Sequence, residues 1–357
     1  RCTASTPWTL ELVGTAWAAG HNETACTALV QYYRTARTAS WLRSDAPAVR
    51  FNTCYDGSVE MDPVTGSQCC TNDWNHICGA ADNALHDKYD FYTFAAQIPR
   101  YPAGSFYPDG RPTFPNGLNW TYCPPPAFAR AWMAAVQRHS QFGSLAEAWN
   151  STRDAKYATR LSELVEDWVL FAGEPPAHGS PARAVAQCNT HADWISLTAS
   201  IRLQTWPLAF FLAQQATEFT AVSRLLMVAS TAQIADMLLQ PGALAGSNQG
   251  AIECQGLITT ALLYPEFRNA SLWLKTGMAK IDFILSTQVY DDGVSAEQST
   301  SYHEVTLRTA DNILQVMDAA GYAAPSTWRR TIEKMFDYCA RQMSANGLQV
   351  LNGDSGM

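Results

Sequence analysis

Asp292-Gly293-Val294-Ser295-Ala296-Glu297-Gln298-Ser299-Thr300-Ser301-Tyr302-His303 passes from a break in periodicity into a long helical pattern, setting a tyrosine and a histidine just inside a helix start. The same alternation governs the chain from residue 124 onward, where apolar residues recur at three- and four-residue spacing. Short breaks fall near 142, 152, 174 to 187, 215, 241 to 247, 265, 288 to 294 and 320 to 325. Helices of about 17 to 25 residues joined by short turns make antiparallel hairpins, and there is little alternation of the β kind. Periodicity leaves a bundle, a superhelix and a toroid equally open, and no strict repeat is visible.

Upstream, residues 6 to 20 and 23 to 42 read as two helices parted by Gly20-His21-Asn22, with Asn22 as N-cap and Cys26 one turn in. Residues 45 to 78 lose periodicity and are rich in Gly, Pro, Asp, Asn and Cys, which predicts an irregular loop region tied by disulfides. Helical spacing returns over 80 to 97, and 99 to 118 is a second loop rich in Pro, Gly and Tyr.

Charged residues are only 16% of the 357, while aromatics reach 11% with 12 Trp. Flat rings bury large areas and also stack on the C–H faces of sugars, although most of them belong to a core. A formal net charge of −8 argues against a broad grip on nucleic acid or on a densely sulfated chain, and a polyuronate of modest charge density fits better. Of the ten cysteines, Cys2, Cys26, Cys54, Cys69, Cys70, Cys78 and Cys123 fall in the first third, a usage that points to disulfides and hence to secretion. Sequons at Asn22, Asn119, Asn150 and Asn269 agree with glycosylation on that route. The first residue is Arg1 and no leader precedes it, so the chain reads as a mature product. No Cys-x2-Cys pair suggests zinc, no cofactor is expected, and no apolar run is long enough to span a membrane.

Two junctions carry the chemistry. A phenol near a helix N-terminus, at Tyr302, can pass a proton if a closed site lowers its pKa. Ser247-Asn248-Gln249-Gly250-Ala251-Ile252-Glu253 offers amide donors at a second helix start, able to hold an anionic oxygen without titrating. Each residue has a plainer reading beside this one. Asn248 can be a cap, Tyr302 a core aromatic, and Arg202 one half of an internal ion pair. Glu253 and Glu297 can orient neighbours, and His191 can belong to a helix start.

Glu297-Gln298-Ser299 followed by Tyr302-His303 resembles the signature of the heparinase II/III-like polysaccharide lyases. Asn248-Gln249-Gly250 with Glu253 is similar to that family's Asn-His-Gly-x-x-Glu segment. Trp194, Arg202 and Trp206 reproduce its Trp-x7-Arg-x3-Trp helix. Leu118-Asn119-Trp120, Trp132, Leu145-Ala146 and Trp168 resemble its N-terminal helical region, and Asn352-Gly353-Asp354-Ser355 its Gly-Asp-Ser turn.

The resemblance covers residues 80 to 357 and implies an all-α fold, an incomplete (α/α) toroid of helical hairpins. Residues 1–123 would pack on a main toroid over 124–350, and 351–357 would begin a linker to a β-sandwich domain. It also implies β-elimination on a uronate glycan, with Tyr302 as base, as acid or as both, and Asn248 and Gln249 neutralising the carboxylate. His303 is a further catalytic candidate, and Trp194, Trp206, Arg202, Glu253, His191 and Glu297 are candidates for substrate contact.

Gln249 departs from the pattern, since related sequences carry histidine there and glutamine cannot take a proton. The partners implied are an acidic polysaccharide and a β-sandwich domain or second chain that completes the site. A uronyl C5-epimerase shares the first half-reaction. A non-catalytic glycan-binding glycoprotein, and a glycoside hydrolase recruiting Asp292, Glu297 and Glu253, are the readings from other classes.

Overall fold

A computed structural model describes residues 10–36, 77–86, 118–120, 136–173, 175, 194–344, 350–353 and 355. Among them the regular elements are helical, with an isolated bridge between Val289 and Ser295. The helices are α1 (Leu10–Ala18), α2 (Asn22–Gln31, continuing into a π turn over Tyr32–Ala36), α3 (Ile77–Leu85), α4 (Ser140–Thr152), α5 (Ala155–Ala172) and α6 (Ser196–Leu212). They continue with α7 (Ala221–Leu238), α8 (Asn248–Leu263), α9 (Ala270–Thr287), α10 (Thr300–Ala319) and α11 (Ser326–Arg341).

The even-numbered helices α4, α6, α8 and α10 pack side by side, and each carries the next odd-numbered helix on its back. Burial separates the two rows. Helix α8 buries residues on every face, from Gly250 to Leu263, whereas α11 buries only Trp328, Ile332 and Met335, a single stripe at helical spacing. Two apolar clusters result, and α8 belongs to both: Leu257 and Leu263 face the core shared with α4 to α7, while Cys254 and Ile258 face the core shared with α9 to α11. Close approach in the inner row needs small residues. A Cβ on Gly256 would stand 2.4 Å from the Ser200 carbonyl oxygen of α6, so no other residue fits there without moving backbone.

Local chemistry fixes the helix starts. Asp154 accepts from the Lys156 N–H at 3.1 Å to open α5, and Thr220 accepts from the Ser223 N–H at 3.0 Å to open α7. The back row is pinned by a repeated device in which a buried indole turns its N–H to a carboxylate of the preceding element. Trp273 of α9 reaches Asp236 of α7, and Trp328 of α11 reaches Asp282 of α9, both at 2.7 Å. Ahead of α4, Trp120 reaches Asp167 at 2.6 Å. The large ring supplies buried area while its only polar atom stays satisfied.

Several boundaries differ from the sequence reading. His21 takes the N-cap position of α2, with Asn22 as first helical residue and no side-chain cap. The break expected near 142 lies at His139, held at φ 59°. The hairpin helices run from 13 to 20 residues, shorter than expected because each turn consumes several. Most of the two loop regions, with Cys2, Cys54, Cys69, Cys70 and Cys123, lies outside the described residues. Among the described residues no disulfide forms, and Cys26 carries a free thiol. No helix among them is long and apolar enough to cross a membrane.

Candidate active site

The loop before α8 folds back over the first turn of that helix. Its Ala245 N–H donates to Glu253 Oε2 at 2.7 Å, and its Ala245 carbonyl lies where a Cβ on Gly250 would be only 2.0 Å away. This explains the spacing Asn248-Gln249-Gly250 with Glu253: the glycine admits the returning peptide, and the glutamate one turn later holds it. The backbone leading into Asn248 is thereby fixed. Asn248 itself is half-buried and Gln249 exposed.

The stretch before α10 is equally constrained. Tyr290 donates to the Val294 carbonyl and Ala296 to that of Gln288, at 2.9 and 2.8 Å, forming a tight hairpin. A Cβ on Gly293, at φ +90°, would stand 2.3 Å from the Lys334 carbonyl oxygen. Gln298 follows at φ 51°, a left-handed conformation that costs a non-glycine residue about 1 kcal/mol or more. Ser299 then caps α10, its Oγ accepting from the Tyr302 N–H at 3.4 Å. Tyr302 is 37% exposed.

The two junctions meet. Glu297, on the loop into α10, accepts the Asn248 N–H at the start of α8 through Oε1 at 3.2 Å. A carboxylate at a helix N-terminus is favoured by the exposed N–H groups and by the dipole. Asn248, Gln249, Glu297 and Tyr302 are therefore the predicted residues with solvent access at two adjoining helix openings.

The other predicted residues lie inside. His303 is 2% exposed; its Nδ1 accepts the Ser295 N–H at 3.3 Å, which places the ring proton on Nε2, 3.2 Å from the Met335 carbonyl. Burial holds its pKa below the ordinary value. Both nitrogens of this catalytic candidate are engaged in holding the 288–297 hairpin and α11 together.

Arg202 is fully buried, its guanidinium 4.6 and 5.0 Å from the ring centres of Trp168 and Trp194, with Nη1 donating to the Gln137 carbonyl at 2.9 Å. Trp206, also fully buried, donates from Nε1 to His139 Nδ1 at 2.9 Å. The three candidates Trp194, Arg202 and Trp206 thus form an internal polar–aromatic knot. His139 and Gln137 belong to the same knot and carry no periodicity signal. His191 lies outside the described residues. Of the four sequons, Asn22 and Asn119 are exposed, while Asn150 and Asn269 are half-buried and Asn269 Nδ2 donates to Asp236 at 2.9 Å.

Glu253, at 2% exposure, is also internal, and its desolvation makes a prediction about pH. Burial raises its pKa to about 7, against the smaller downward pulls of the Ala245 N–H and Lys280. The native state therefore holds a proton between pH 4.5 and 7 that the unfolded chain releases. The associated stability is complete below the unfolded pKa and is lost as pH rises through about 7, by roughly 3 kcal/mol. Glu253→Gln keeps an acceptor for Ala245 but cannot titrate. Urea unfolding of both proteins from pH 4.5 to 8 should show the wild type losing stability relative to the variant across this window; parallel curves would refute the assignment.

A double row of helical hairpins brings two motif-bearing helix starts to one junction, and comparison with known proteins places this arrangement. The model of the heparinase II/III N-terminus matches residues 6–355, and the chain belongs to that family. A heparin-sulfate lyase from Pedobacter heparinus is 26% identical over 334 residues, 91% of this chain and 43% of the relative. Its counterpart from Bacteroides thetaiotaomicron is 26% identical over 302 residues, 82% of this chain and 36% of the relative.

Among solved structures, heparan sulfate lyase from Pedobacter heparinus superposes with a TM-score of 0.65 at 22% identity, covering 97% of this chain and 48% of that one. A structure of heparinase III gives 0.66 at 20% identity, with 96% and 47% covered. These likenesses establish the helical toroid as the fold. The chain spans less than half the length of the curated relatives it matches.

Proposed function

We propose that this chain is the helical part of a secreted polysaccharide lyase that cleaves a uronic-acid-containing glycan by β-elimination. One observation carries the reading: the hydrogen bond from the Asn248 N–H to Glu297, which joins the amide-bearing start of α8 to the loop that delivers Tyr302. The names of the relatives, both heparin-sulfate lyases, support the same reaction class.

In the reaction the C5 proton passes to a base and its electron pair forms the C4=C5 double bond. The C4–O bond breaks, and the departing oxygen takes up a proton. The difficult step is acidifying a proton beside a carboxylate. Asn248 and Gln249 are neutral donors suited to the developing enolate oxygens, and they sit on a backbone that Gly250 and Glu253 hold rigid. Tyr302 serves as the proton carrier, as base and then as acid. Because Gln249 replaces the family's histidine, the phenol bears the whole proton traffic of the residues described. The net charge of −8 favours a uronate chain of modest charge density over a heavily sulfated one.

The test, run on the protein together with the domain or second chain that completes its site, is a panel of alginate, glucuronan, chondroitin and heparan followed by ultraviolet absorbance of the unsaturated uronate product. Absorbance growth on one polymer is the expected result. Epimerised but uncut chains would transfer the reading to a C5-epimerase, and binding without turnover would leave only a glycan-binding protein.

A further inference from the structure

The first turn of α10 leaves three backbone N–H groups with no partner inside the helix, those of Thr300, Ser301 and Tyr302. Each finds one outside it. Ser299 Oγ takes the Tyr302 N–H, as an N-cap should. The other two go to a segment 50 residues later in the chain: the Thr300 N–H donates to the Asn352 carbonyl at 3.4 Å, and the Ser301 N–H donates to Ser355 Oγ at 3.2 Å.

Side chains reinforce this. Ser355 Oγ lies 3.2 Å from Ser299 Oγ, the cap itself, and is fixed by donating to the Asn352 carbonyl at 2.5 Å. Thr300 Oγ1 accepts the Asn352 N–H at 3.2 Å and lies 2.9 Å from the Val350 carbonyl oxygen. The fit is tight on the backbone side as well. Gly353, at φ +61°, rests against the strained Gln298, where a Cβ would come within 2.7 Å of the Gln298 carbonyl oxygen.

We propose that residues 350–353 and 355 form a second, long-range cap that sets the position of the Tyr302 helix start, with Ser355 and Thr300 as positioning residues for the reaction. The proposal rests on the lyase reading for its catalytic half. The physical reason is that Gln298 holds a left-handed conformation that its own side chain does not favour, so the turn carrying Ser299 and Tyr302 needs an external hold. The segment supplies one through the helix's own orphan donors. A helix start that frays by one turn moves a side chain on that turn by ångströms, and a displacement of about 1 Å at a reacting group costs on the order of 10²-fold in rate. The same accounting revises the role of this helix terminus: its N–H groups are engaged by the protein, so Tyr302 itself, and not the terminus, is what α10 offers to a substrate.

Two readouts test the clamp separately from the chemistry. Amide hydrogen exchange on the full-length protein without substrate should show the Ser301 and Tyr302 amides exchanging roughly tenfold faster in Ser355→Ala, with α6 and α8 unchanged. On the polymer that the wild type cleaves, the same variant should lose roughly tenfold in kcat at unchanged KM. Ser355→Thr, which keeps the hydroxyl, should restore both, and Gln298→Gly, which relieves the strained φ, should lessen the kcat loss when combined with Ser355→Ala.

Unchanged exchange at 301 and 302 in Ser355→Ala overturns the clamp, and faster exchange with wild-type kcat overturns its positioning role. A wild-type protein that cleaves none of the polymers with its completing domain or second chain present refutes the lyase reading instead, and exchange then decides the clamp alone.

Discussion

Tyr302→Phe is expected to lower kcat by about 10²- to 10⁴-fold, the range that general acid–base groups contribute, while leaving the unfolding midpoint unchanged. The variant removes one oxygen from a ring that is 37% exposed, so no cavity forms, and the Tyr302 N–H keeps its acceptor on Ser299. The drop should appear equally in kcat and kcat/KM, as for an interaction made only in the transition state. His303 offers no replacement, because its two nitrogens are bonded to Ser295 and Met335 and its pKa is held down by burial. Steady-state rates by ultraviolet absorbance, with unfolding followed in parallel, make the measurement. A variant retaining more than about a tenth of the wild-type rate would show that the proton travels by another route and would remove Tyr302 from the mechanism.

The motif helices were legible in sequence at different depths. Break positions near 152, 215, 241 to 247 and 265 could be read because turns expel apolar periodicity, and each falls between helices of the structure. The adjacency of the α8 and α10 starts was not written in either segment: it depends on a hydrogen bond between residues 49 apart, which periodicity cannot encode.

Roles are least legible in sequence where burial decides them. Arg202, Trp194, Trp206 and Glu253 have the chemistry of sugar-binding residues, yet a cation flanked by indoles serves equally as core, and only packing tells the two apart. Glu253 shows why a motif can mislead about function: its spacing from Gly250 reflects the returning Ala245 peptide, a backbone requirement. The kink at His139 left no trace, since its left-handed backbone is stabilised by rings from three distant segments, Trp120, Trp168 and Trp206.

The largest effect on stability is expected from that interior. Arg202→Ala should cost about 3–5 kcal/mol, since it deletes a long side chain from a fully buried site and strips the Gln137 carbonyl of a charged donor. The guanidinium lies beside two adjacent indoles, at 4.6 and 5.0 Å from their centres, and its planar fork is a shape that an ammonium does not reproduce. Arg202→Lys should therefore recover only part of the loss, although it keeps the charge. Its removal should also reach His139. That imidazole is neutral because it is buried and because the Arg202 charge repels a second proton, both holding its pKa well below the usual value. Without the neighbouring cation the second influence disappears and the penalty on protonating His139 shrinks, leaving burial as the main restraint. Urea unfolding measures the first effect, and the pH at which the stacked His139–Phe142–Trp206 cluster loses its near-ultraviolet dichroism measures the second. If Arg202 instead met the substrate carboxylate, the outcome would be the reverse: stability near wild type with a raised KM, a result incompatible with a fully buried guanidinium beside Trp168 and Trp194.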